Sequence, residues 1–264
     1  MDRIIVKPSG PLHGDVEING AKNSALKVMA ACSLAEGTFF LTNVPDITDV
    51  RLMSELLVSL GMTVRSVDTN SLEITNPGNL TAEAPYELVE KMRASIVVLG
   101  PLLARYGKAR VALPGGDDFG PRPIDMHLRG LEMLGAKFAS EHGYIDGHCE
   151  RLRGSRIVLE FPSVGATENI MMAAVLADGT TIIENAAREP EIADLASFLN
   201  RMGSSVLGAG TSTIVIEGVE KLGAVEHAVV PDRIEAATYL AAVGIAGGEI
   251  NLVGARPDHM DMLC

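Results

Sequence analysis

Ile170-Met-Met-Ala-Ala-Val-Leu-Ala-Asp-Gly179 is apolar on every face of the helix it predicts until Asp-Gly ends the run. A helix without a polar stripe belongs in a protein interior, covered on all sides. Tyr239-Leu-Ala-Ala-Val-Gly-Ile-Ala246, followed by Gly247, has the same character. Outward from these two stretches one pattern recurs: an apolar helix, a Gly turn, a β-rich run and a second helix closing in Leu-Gly or Met-Gly. Unit one runs from Lys22 through Gly37 to Leu60-Gly61, and unit two from Arg93 through Gly107 to Leu134-Gly135. Unit three runs from Gly165 through Gly179 to Met202-Gly203, and a fourth begins at Arg233 and passes Gly247. The turn glycines are by subtraction 70, 72 and 68 residues apart, a near-constant long period that marks a repeat. Each is expected to end its helix as a left-handed C-cap. On pattern alone, the alternative is a generic α/β chain with ordinary helix-ending glycines.

The second helices, such as Glu191-Ile-Ala-Asp-Leu-Ala-Ser-Phe-Leu-Asn-Arg-Met202, are amphipathic, with apolar positions three and four apart. Ser71-Leu-Glu-Ile-Thr75 and Thr213-Ile-Val-Ile-Glu217 alternate and predict half-buried strands. The expected fold class is α/β, built of repeated units with helices inside and sheets outside, three complete and one partial. Arg3 to Lys7 predicts a first strand that pairs within the partial unit's domain. Cys264 falls inside what should be the fourth unit's second helix, so the chain is expected to be a piece of a longer protein.

The formal net charge of −12 argues against a nucleic-acid or anionic-membrane partner, and the 4% aromatic content with no Trp argues against base-stacking platforms. An anionic small molecule would have to be held by a few convergent cations. Cys32, Cys149 and Cys264 are far apart and in no metal-ligand spacing, which predicts free thiols in a reducing compartment. MDRIIVKPSG at the start lacks the apolar core of a signal peptide, and the apolar stretch from Ile96 to Ala104 is too short to cross a bilayer. A cytoplasmic, soluble protein is expected.

Four segments carry candidate chemistry. Asn19-Gly-Ala-Lys-Asn-Ser24 puts Lys22 and Asn23 at a helix start, where unpaired N–H groups and the positive dipole end suit a phosphate or carboxylate. An ordinary capped helix with a solvated Lys fits the same residues. Leu113-Pro-Gly-Gly-Asp-Asp-Phe-Gly-Pro-Arg-Pro-Ile-Asp-Met-His127 is a long Gly- and Pro-rich loop of the kind that carries function. Arg122 sits between two prolines that preorganise it for an anion, while Asp117-Asp118 also reads as a solvated turn and His127 as a helix-face residue. Phe161-Pro-Ser-Val-Gly-Ala-Thr167 holds the same unit position as the Lys22 segment and offers N–H groups and Ser163 to a second anion, or serves only as a helix cap. Glu184-Asn-Ala-Ala-Arg-Glu-Pro-Glu191 is a strand-to-helix loop whose Glu189 and Glu191 face either a ligand or solvent.

Together, GAKNSAL, RASI at Arg93, LPGG with RPIDMH, SVGAT, ENAAREPEI and PDRIE at Pro231 to Glu235 resemble the UDP-N-acetylglucosamine enolpyruvyl transferases over essentially the whole chain. The resemblance implies an inside-out α/β barrel of repeated units and two domains that close over substrate. Residues 21–229 would form one complete domain, and residues 1–20 with 230–264 pieces of the other. It implies the substrates phosphoenolpyruvate and UDP-N-acetylglucosamine, with no cofactor and no metal. Lys22 and Asn23 would contact phosphoenolpyruvate, and Arg93 and Arg122 would bind anionic groups. Arg122, Pro123, Ile124, Asp125 and Met126 would line the uridine pocket, with Phe161, Pro162, Ser163 and Val164 on its other side. Lys22 and Asp117 would be catalytic. Asp117 stands where many members carry a Cys that acts as general acid, and a carboxyl there must be raised from its reference pKa of about 3.9 to do that work. The family's catalytic Asp and a second phosphate-binding Arg would lie beyond residue 264, so this chain alone is expected to turn over little. A shikimate-pathway synthase of the same fold lacks these strings. A non-catalytic UDP-sugar-binding paralogue is the alternative from another class.

Overall fold

The computed structural model describes residues 3–7, 10–113 and 124–264, with the side chains of Arg93 and Glu141 also outside the description. The chain opens with strand β1 (Leu12–Glu17). The first unit follows as helix α1 (Lys22–Ala31), β2 (Gly37–Thr42), α2 (Thr48–Ser59), β3 (Thr63–Asp68) and β4 (Ser71–Asn76). The second holds β5 (Glu83–Ala84), α3 (Tyr86–Val89), a 3-10 helix Arg93–Val98, α4 (Leu99–Tyr106), β6 (Lys108–Ala112), α5 (Asp125–Met133), β7 (Lys137–Glu141) and β8 (Tyr144–His148). The third holds β9 (Arg156–Val158), α6 (Val164–Ala174), β10 (Thr180–Glu184), α7 (Pro190–Arg201), β11 (Ser205–Leu207) and β12 (Thr213–Glu217). Then come β13 (Glu226–Ala228), α8 (Arg233–Ala246) and β14 (Gly248–Val253).

The repeat is visible in the sheets. Their orders are β13-β2-β4-β3, β5-β6-β8-β7 and β9-β10-β12-β11, in each case a parallel pair followed by two antiparallel pairings. In the third unit the parallel strand β9 directly precedes the buried helix α6, and in the second β5 precedes α4 with α3 and the 3-10 helix between them. In the first it is β13, which returns from beyond unit three to pair Glu226–Ala228 with Phe40–Thr42 and so closes the ring. The alternation expected of Thr213–Glu217 holds, with Ile214 and Ile216 buried on the helix side.

The inner helices are α1, α4 and α6, and α6 is buried along its length from Ala166 to Ala174. They share one continuous apolar core with the amphipathic α2, α5 and α7, which bury residues such as Met53, Leu131 and Phe198. A second, small core of Ile18, Ala236 and Met260 lies under α8 and the parallel pair β1–β14.

Three expectations differ from the structure. The helix Tyr239–Ala246 is as apolar as α6, yet only Ala236 of α8 is buried and Ile245 is 89% exposed, because among the described residues the sheet that packs against it is the two-stranded β1–β14. The first strand is Leu12–Glu17 and not Arg3–Lys7, which is exposed and in no ladder; the alternating Leu12, Val16 and their partners Leu252 and Gly248 fix the register. All four turn glycines have positive φ, but only Gly107 (φ 67°, ψ 2°) is a left-handed C-cap. Gly247 caps α8 with ψ 177°, while Gly37 and Gly179 follow helices that have already ended at Leu34 and Ala174 and start or precede strands.

Candidate active site

The 3-10 helix Arg93–Val98 packs on both α1 and α6, so the starts of all three inner segments, at Lys22, Arg93 and Val164, gather at one end of the ring. Their C-terminal ends line a cavity of about 900 Å³ at the other end, through Leu34, Tyr106 and Leu176. The repeat therefore places equivalent helix starts, each a positive dipole end, at the same end of the ring.

Lys22 is half exposed and its Nζ is 2.9 Å from Asp49, in the first turn of α2. Its N–H donates to Asp232 Oδ2 at 3.2 Å. Asp232 also caps α8, accepting from Ile234 at 2.8 Å and Glu235 at 3.1 Å. One carboxylate thus serves two helix starts where the chain crosses twice, at the bridge Gly20–Pro231. Asn19 at the same crossing donates to Glu235 at 2.9 and 3.0 Å. Gly20 is required here, since a Cβ would lie 1.6 Å from the Asn43 carbonyl oxygen. A cleft of about 530 Å³ is lined by Lys22 together with Glu17, Asp46, Asp232 and Glu235, so its charge is net negative. Asn23 is half-buried on the same first turn.

At the start of α6, Ser163 is the N-cap, its hydroxyl accepting from the Ala166 N–H at 3.4 Å. Phe161 and Pro162 are exposed, and Val164 is half-buried. The segment meets the start of α5. A Cβ on Gly165 would lie 3.1 Å from the His127 ring, so glycine permits the contact. Arg129 of α5 pairs with Glu160 and lies 3.7 Å from Asp125. The structure thus brings together Phe161–Val164 and Ile124–Asp125. Met126 is buried among the described residues, at 6% exposure. His127 is also buried, with Nδ1 3.1 Å from Asn169 Nδ2. Asp117, Arg122, Pro123 and most of the Gly-rich loop lie outside the described residues, as does the side chain of Arg93.

Sequence reading missed the polar groups buried behind this end. Lys27 of α1 is 3.5 Å from Glu168 of α6, and both are buried. Burial pushes the Glu168 carboxyl up to about 7; Lys27 pulls it down, and Glu191 and Glu189 push it further up. Glu191, read as facing ligand or solvent, is buried and pairs with Arg233 at 3.1 Å. Asn169 accepts from the Gly100 N–H at 2.7 Å and donates to the Ile96 carbonyl at 3.0 Å, which fastens α6 to the second inner segment. The available signal was a Lys, a Glu or an Asn inside an otherwise apolar helix, since such residues are buried only with partners.

Residues 6–263 match the family described as EPSP synthase (3-phosphoshikimate 1-carboxyvinyltransferase). The chain is 54% identical over 261 residues to UDP-N-acetylglucosamine 1-carboxyvinyltransferase of Gluconobacter oxydans (strain 621H), covering 98% of this chain and 62% of that protein. It is 53% identical over 265 residues to UDP-N-acetylglucosamine 1-carboxyvinyltransferase 1 of Symbiobacterium thermophilum, covering 98% and 60%. It spans about three fifths of the length of these curated relatives. Among solved structures, the enolpyruvyl transferase NikO from Streptomyces tendae superposes with a TM-score of 0.77 at 24% identity, over 88% of this chain and 55% of that one. EPSP synthase from Acinetobacter baumannii gives 0.74 at 20% identity, over 95% and 58%. At these identities the structural matches show the fold alone. No described helix is long and apolar enough to cross a membrane.

Proposed function

This chain belongs to the EPSP synthase family, and from that membership we propose that the native-length protein transfers the enolpyruvyl group of phosphoenolpyruvate to the 3-hydroxyl of UDP-N-acetylglucosamine. The observation that carries this reading is the identity of 50–54% over nearly the whole chain to relatives bearing that activity in their names. The 3-hydroxyl oxygen adds to C2 of phosphoenolpyruvate while C3 gains a proton, giving a tetrahedral ketal. Loss of a C3 proton and of phosphate then restores the double bond. The product enters peptidoglycan synthesis in the cytoplasm.

In this reading residues 21–229 form one wall of the cleft, and residues 1–20 with 230–264 belong to the second. Lys22 and Asn23 contact phosphoenolpyruvate, and Arg93 and Arg122 help bind the substrates' anionic groups. Arg122 to Met126 and Phe161 to Val164 flank the nucleotide, consistent with the contact between α5 and the start of α6. Asp117 delivers the proton to C3, a role that requires a carboxyl raised above its reference pKa by burial or by the phosphate's charge. The test is phosphate release by the native-length protein when given both substrates. Absence of turnover with UDP-N-acetylglucosamine, alongside turnover with a phosphorylated shikimate, would overturn the assignment. Because Asp117 offers no thiol, activity is expected to survive incubation with stoichiometric fosfomycin, an alkylator of the Cys at that loop position. Inactivation would remove Asp117 from the role.

A further inference from the structure

Behind the Lys22 end lies a buried three-armed carboxylate. Asp194 on α7 is 7% exposed. Its Oδ2 accepts a hydrogen bond from the Ser24 hydroxyl of α1. Its Oδ1 lies 2.9 Å from His227 Nε2 of β13, which carries the hydrogen because a carboxylate only accepts. The Val230 N–H points at Oδ2 from 3.5 Å. The Val230 carbonyl in turn accepts from the Ala21 N–H at 2.7 Å. Two routes therefore run from Asp194 to the first turn of α1, one through Ser24 and one through Val230 and Ala21. Ser24, Asp194 and His227 are all buried. The carboxylate stands between hydroxyl and imidazole, so the group activates no nucleophile; the arrangement is a clamp.

We propose that Asp194 is a positioning residue for the phosphoenolpyruvate half of the site: it fixes the start of α1, and with it Lys22 and Asn23, against the closing strand β13 and the returning chain at Val230. The inference rests on the reading of Lys22 and Asn23 given under Proposed function. Its special content is asymmetry. The segments assigned to the nucleotide, Ile124–Met126 and Phe161–Val164, are fastened through Asn169, Gly165 and Arg129, and among the described residues no hydrogen bond of Asp194 reaches them. Loosening Asp194 should disturb one substrate and spare the other.

Asp194→Asn keeps the volume but turns one acceptor into a donor facing either the Ser24 hydroxyl or the His227 N–H. In the native-length protein it is expected to raise the KM for phosphoenolpyruvate about tenfold while changing that for the UDP-sugar less than about twofold, since small misplacements of substrate-holding groups carry penalties of that order. Ser24→Ala, which removes one arm and leaves the other, is expected to give the same split at about threefold. A merely structural role predicts both constants moving together, or neither, and either result in Ser24→Ala overturns the proposal even where Asp194→Asn does not fold. Unmodified protein that releases no phosphate would instead sink the underlying assignment, so the two failures are distinguishable.

Discussion

A buried carboxylate sets the protein's most readable pH response. Glu168 has no exposed surface, and burial holds its folded pKa at about 7, well above the ordinary carboxylate value, so the unfolded chain ionises first as pH rises. The cost to stability is absent below about 4.5, grows between there and about 7, and is complete above, at about 3 kcal/mol. Glu168→Gln removes that dependence. Urea unfolding should show the variant gaining about 2–3 kcal/mol on the unmodified chain between pH 5 and pH 8; parallel behaviour at both values would contradict the assignment. Lys27 gives the companion test. Glu168→Leu strands a buried ammonium and should lose about 3–5 kcal/mol, whereas the double change Lys27→Met with Glu168→Leu should recover most of it. Close approach decides Gly100, where a Cβ would meet the Asn169 carbonyl oxygen at 2.4 Å, so Gly100→Ala should destabilise by more than about 1 kcal/mol despite better helix propensity.

Helix starts are where the elements do their work, and their caps are separable. Ser163→Ala removes a single side-chain cap from α6 and should cost about 1 kcal/mol. Asp232→Ala removes acceptors for Ile234, Glu235 and Lys22 together, so thermal unfolding should show a larger loss than Ser163→Ala. Elements were also what the sequence conveyed best. Apolar runs with a constant period give the inner helices, and strict alternation gives β4 and β12, because those signals are local. Asp194 was legible only as a polar position on an amphipathic helix; its partners Ser24 and His227 are 170 and 33 residues away, and no local pattern links them. Likewise the loop motifs announced Lys22 and Ser163 as helix starts, but not that Asp232, from the far end of the chain, reaches the first of them.

At the scale of the whole molecule, two cores of unequal size predict unequal sensitivity. Phe198→Ala opens the large core, where Phe198 packs against Phe39 and His227, and should cost about 3–5 kcal/mol. Ile245→Ser, at a position 89% exposed in this chain, should change unfolding by less than about 0.5 kcal/mol. The sequence pattern alone marks Ile245 as interior, and it misleads because periodicity reports what a helix could bury and says nothing of which surface is present to cover it. The ring has one seam. Asn43 donates to the Val229 carbonyl at 2.8 Å across 186 residues, and β2 receives its parallel neighbour from that same distant stretch. During synthesis the ribosome therefore delivers the first sheet with one border bare, and it stays bare until the third unit has emerged. Chaperone demand should peak in that interval, since an unpaired strand edge invites the wrong neighbour and distant closure is slow.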